Sequence, residues 1–143
     1  MSPEVWANAA PLIAAAAAAM VPPLPIAWPN EDPGPRPSPP APWLDIELQA
    51  QSTYAYELGG NIWRENGSIW LHVMIPLGSG IVQGLTIRKA LSVAFRRAQE
   101  DSGTVGLYYD PDHSMDPAGP GADDGVYRRL SLILRYHFED LLT

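Results

Sequence analysis

The segment most suggestive of chemistry is Gly78-Ser79-Gly80-Ile81-Val82-Gln83-Gly84, a glycine-rich join between an apolar run and an amphipathic one. Such a join could offer free backbone N–H groups to a phosphate at the start of a helix. The spacing departs from the known cradles. A dinucleotide fingerprint needs glycine where Gln83 stands, and a P-loop needs Lys followed by Ser or Thr where Leu85-Thr86 follow Gly84. Ser79 has glycine on both immediate sides, whereas a nucleophile elbow has glycines two residues away. A connecting turn is the reading that remains.

Asp110, Asp112, Asp116, Asp123 and Asp124 gather carboxylates in one segment, and hard oxygen donors of this kind hold Ca²⁺ or Mg²⁺. Met115 takes the place of the glycine that lets an EF-hand loop turn, and three prolines stiffen the stretch. A solvated acidic loop over 110–125 is therefore expected, with a cation site as the alternative. His72, His113 and His137 lie far apart in sequence and read as core or surface histidines. The chain has no cysteine, which removes thiolate nucleophiles and cysteine-based metal sites. No catalytic residue, metal or cofactor is expected.

What is left is contact area. The five tryptophans and six tyrosines are residue types enriched at the centres of interfaces, and equally at home in a core. Trp28 and Trp43 border extended segments and are assigned to the core. Trp63 sits beside Arg64 and Glu65 in a projecting hairpin and is assigned to an interface. Trp70 and His72, on the second face of the next strand, complete the candidate interface. The formal charge of −7, from 16 acids against 9 bases, disfavours unaided attraction to DNA or anionic lipid. Ala9 to Val21 is too short to span a bilayer, which takes about 20 apolar residues. The first cation is Arg36, so a signal peptide is not expected and synthesis in the cytoplasm is.

The elements that must position these residues follow from period and punctuation. Ser2 as cap, Pro3 at the first helical position and the alanine-rich continuation predict a helix over about 3–20, kinked or divided at Pro11. Ten prolines among residues 22–42 predict an extended strap, with Leu24 to Trp28 along a sheet edge. Leu44, Ile46, Leu48 and Ala50 alternate with polar residues, as a strand with one wet face requires. Ile69, Leu71, Val73, Ile75 and Leu77 form a second strand, with Trp70, His72 and Met74 on a face that is also apolar. Between the two strands, Gly59-Gly60-Asn61 and Asn66-Gly67 predict a projecting, mobile hairpin tip over 53–67. Ile87, Leu91, Ala94, Phe95 and Ala98 mark a helix over 84–99. Strands over 105–109 and 126–138 are expected to pair antiparallel around the acidic loop. The sum is one α+β domain over 1–143: a mixed or antiparallel sheet with an N-terminal helix and a central amphipathic helix on one face.

Pro25-Ile26-Ala27-Trp28-Pro29-Asn30, then Pro42-Trp43-Leu44 after a proline-rich gap, the Gly59-Gly60 pair, the exit Ile75-Pro76-Leu77-Gly78-Ser79-Gly80, the helix that follows and a final strand after Asp124-Gly125 occur in a telling order. In that order and spacing the chain resembles the tail terminator proteins of long-tailed phages and phage-derived gene transfer agents. The resemblance implies a non-enzymatic virion subunit at the top of the tail. It would form a hexameric ring on the tail tube protein, end tail polymerisation and meet the head–tail connector or stopper protein. DNA would pass through the lumen without sequence-specific binding, and no membrane would be involved. Another connector or stopper subunit is the neighbouring alternative. A small cytoplasmic enzyme or ligand-binding domain, built on the acidic loop or the glycine-rich turn, is the alternative of a different class.

Overall fold

Proline costs nothing in the first turn of a helix, where its missing amide would lack a partner in any case. In the computed structural model, which describes residues 1–115 and 126–141, Pro3 accordingly opens helix α1 (Pro3–Ala18). Ser2 holds the cap position through its backbone: its carbonyl accepts from Val5 N–H at 3.1 Å, and its side chain makes no capping bond. Val5, Ala9, Ile13 and Ala17, four residues apart, form the buried stripe. The helix runs through Pro11 undivided. Pro11 and Ala7, whose carbonyl loses its partner, both face solvent, where water substitutes for the missing amide.

The strap lies along the sheet edge as β1 (Ile26–Ala27), parallel to the start of β2 (Trp43–Ala55). Trp28 stands edge-on to Trp6 of α1 at 6.0 Å between ring centroids, pinning strap to helix. β2 pairs antiparallel with β3 (Ile62–Pro76), with one register shift between Ala50 and Ser52. Before the shift Leu44, Ile46 and Leu48 face the helices. After it Tyr54 stands opposite Arg64 on the helix-free face, because one inserted residue exchanges the two faces of a strand.

Two expectations about the hairpin change here. The turn is confined to residues 56–61, and Asn66-Gly67 is strand instead of turn, paired with Ser52, Ala50, His137 and Tyr136. Gly67 is there for packing, since a Cβ at 67 would overlap the Tyr136 hydroxyl.

Helix α2 (Val82–Glu100) buries Gly84, Ile87, Leu91, Ser92, Phe95 and Ala98. β4 (Leu107–Tyr109) and β5 (Ser114–Met115) both pair antiparallel with β6 (Tyr127–Leu141), and the sheet order is β1-β2-β3-β6-β4 with β5 also beside β6. The fold is thus α+β with a mixed sheet. Both helices cover one face, where Ile69, Leu71, Val73 and Ile75 interleave with Leu130, Leu132, Leu134, Tyr136 and Phe138. A smaller cluster of Trp43, Met74 and Tyr127 sits on the other face, so both sides of β3 do carry apolar cover. Asp116, Asp123, Asp124 and Gly125, on which the acidic-loop and final-turn expectations partly rest, lie outside the described residues.

Candidate assembly surface

The five residues singled out from the sequence all fall on β3, and strand alternation divides them. Arg64, Trp70 and His72 share the helix-free face, while Trp63 and Glu65 point the other way. Trp63 is 37% exposed near the hairpin tip, and its indole N–H donates to the Gly60 carbonyl at 3.1 Å. Arg64 pairs with Glu139 on β6 and lies 3.7 Å over the ring of Tyr56. That ion pair and stacking hold the guanidinium firmly charged and clamp the tip to the sheet. Glu65 turns back to α1, where it accepts the Ser2 backbone N–H at 3.1 Å. Trp70 is half-buried and donates to Ser68 Oγ at 3.0 Å.

His72 is only 3% exposed, so it offers no contact surface of its own. Its Nδ1 lies 2.7 Å from Ser131 Oγ, and its Nε2 lies 2.9 Å from Glu47 Oε2. Both ring nitrogens thus have a partner on a neighbouring strand. This has the residue types of a Ser-His-acid relay in the wrong orientation: Ser131 is 2% exposed, while the Glu47 side chain is 49% exposed. A nucleophile that no substrate reaches does no acyl transfer. The hydrogen bond from His72, with a second from Gln49, holds the Glu47 carboxyl below its usual range; burial pushes that of Asp45, beside it on the same face, upward.

The remaining sequence candidates resolve into packing roles. Gly78 and Gly80 adopt positive φ of 82° and 83° in the turn after β3, and Gly84 lets α2 approach the sheet, since a Cβ there would meet Ile75 and Leu130. His113 Nδ1 lies 2.7 Å from Ser92 Oγ, with burial the main cause of its lowered basicity, and His137 stacks on Tyr108. Among the described residues no three His, Asp or Glu side chains gather as a metal site. Tyr109 donates to Asn8 Oδ1 at 2.7 Å, and Asn8 donates to the Ser102 carbonyl and to Thr104 Oγ1, a network that ties α1 to the segment before β4.

Sequence reasoning missed the rest of the tip. Tyr54, Tyr56 and Leu58 are exposed there beside Trp63, and Leu141 stands opposite Ile62 at the same end. The period-two pattern, carried past Ala50, would have shown three large apolar side chains in a segment too short to bury them.

The described residues form a helix-backed sheet whose hairpin tip exposes Tyr54, Tyr56, Leu58 and Trp63. The sequence model of the phage tail terminator protein family matches residues 7–125, and the chain belongs to that family. It is accordingly a structural protein associated with the phage tail and a component of the virion. Among solved structures, one whose name gives no function is similar over 100% of this chain and 99% of its own, with a TM-score of 0.70 at 20% identity, which speaks to fold alone. No curated protein matches the sequence. No helix among the described residues is long and apolar enough to cross a membrane.

Proposed function

We propose that this subunit forms a hexameric ring on the last ring of the tail tube, stops further polymerisation and presents the surface to which the head connector joins. Membership of the tail terminator family is the observation that carries this reading. The geometry supports it: exposed apolar side chains gather on a projecting hairpin, a shape that suits contact between subunits. Residues Trp63 and Arg64, with Tyr54, Tyr56 and Leu58, form the core of the contact surface. Trp70, His72 and Glu65 support it from within the sheet.

Six copies at −7 each carry a formal charge of −42. Acids facing the lumen would let DNA slide instead of adhering. Electron microscopy of tails made with and without the gene tests the central claim. Over-long, polydisperse tails in its absence are expected, and tails of normal length would defeat the proposal. Replacing lumen acids by lysine is expected to slow genome ejection; unchanged kinetics would remove the electrostatic part alone.

A further inference from the structure

Large exposed apolar side chains concentrate at the two ends of the long sheet. At one end is the hairpin tip, where Tyr54, Tyr56 and Trp63 surround a fully exposed Leu58. At the other, the segment that follows α1, the strap and the first turns of α2 border an open apolar pocket of about 500 Å³, lined by Val21, Leu24, Pro37, Pro42, Gln83 and Ile87 among others. Val82 and Leu85 continue the apolar surface on α2, and Val21 is almost wholly exposed at the mouth. The 13 residues of β2 separate tip from cavity by roughly 40 Å at the usual strand rise. A tip paired into its own sheet does not reach its own cavity.

Charge follows the same axis. β6 has Arg128-Arg129 at the cavity end and Glu139-Asp140 at the tip end, where Arg64 pairs with Glu139 and leaves Asp140 uncompensated by that pair. Glu57 adds a carboxylate to the turn, and Lys89 adds a cation on the turn of α2 beside the cavity, where Asp45 is the opposing charge at the start of β2. An acidic apolar knob and a more basic apolar hole thus stand at opposite ends of one molecule. A contact between different patches on identical chains is heterologous, the type that closes into rings.

We infer that the 56–61 tip of one copy docks in the pocket between strap and α2 of the next copy, with Leu58 entering between Val21, Pro42 and Ile87. This rests on the ring reading above and specifies its contact. Because the chain has no cysteine, Leu58→Cys with Gln83→Cys introduces the only thiols. Both positions are exposed. On mild oxidation of tails carrying the double variant, the monomer band is expected to be lost to a disulfide ladder running from dimer to closed ring, while each single variant gives none. Rings visible at the tail ends without a ladder would overturn the contact and leave the ring standing. Dimers from Leu58→Cys alone would mean that tip meets tip, and rings of Leu58→Asp that no longer hold the tube would assign the tip to the tube; either overturns it. Tail ends without any ring would sink the ring reading, and this contact with it.

Discussion

Gly67 of β3 and Tyr136 of β6 are directly opposed in the ladder, and the tyrosine ring covers the glycine so closely that its hydroxyl fills the space of a side chain at 67. The pair sits on the helix-covered face, two residues before Phe138 along β6. It fixes the approach of the two strands at that point.

Gly67→Ala is therefore expected to destabilise the fold by about 1–3 kcal/mol, the usual cost of forcing extra volume into a packed site. Adding Tyr136→Phe removes the nearest overlapping atom and should return part of the loss. Urea midpoints of the two single variants and the double variant measure the coupling; strict additivity would show that the contact is not what matters.

Gly84 and Gly80 separate two uses of glycine in one segment. Gly84→Ala meets Leu130 and Ile75 and should cost about 1–3 kcal/mol by pushing α2 off the sheet. Gly80→Ala has open space around it and carries only the strain of positive φ, about 1–2 kcal/mol. Leu130→Val should soften the first and leave the second unchanged in thermal melts.

Acidification acts oppositely on the neighbours Glu47 and Asp45. The Glu47 carboxyl is held below its ordinary value near 4.5, so its contribution is present above that pH and lost as pH falls through the lowered value. Asp45 is raised above its ordinary 3.8, so its contribution is present at lower pH and lost as pH rises through the raised value. Glu47→Gln should lower the urea midpoint at neutral pH and Asp45→Asn should raise it. Both differences should shrink toward pH 3, and midpoint differences independent of pH would contradict the assignment.

Trp28→Ala removes the edge contact with Trp6, expected to be worth about 0.5–1.5 kcal/mol beyond the area buried. The strap should then open before the sheet does. A glutamate-specific protease cutting after the exposed Glu31 reports this directly: faster cleavage with a nearly intact melting transition is the expected pair of results.

Much of this architecture is legible locally. The α2 face from Ile87 to Ala98 and the alternation of Leu130 to Phe138 each lie within one element, where period alone identifies the buried side. What escapes the sequence is non-local. Asn66-Gly67 has the composition of a turn, and only a tyrosine on another strand makes it strand. The irregularity at Ala50–Ser52 leaves no compositional mark, yet it decides that Tyr54 faces Arg64. The link from Glu47 through His72 to Ser131 joins three strands, and no alternation within a single strand announces it. Five candidates chosen along one strand could not share one surface, since neighbouring side chains point to opposite sides.

β3 extends unbroken for 15 residues from the hairpin to the turn before α2, roughly 50 Å at the usual strand rise, and is laddered to β2 and β6 on its two sides. It behaves as a stiff beam. A pull on its tip along the strand loads many backbone hydrogen bonds in shear at once instead of peeling them one by one. The run of residues that carries Trp63 out to the exposed tip thus also gives the sheet its resistance to a pull.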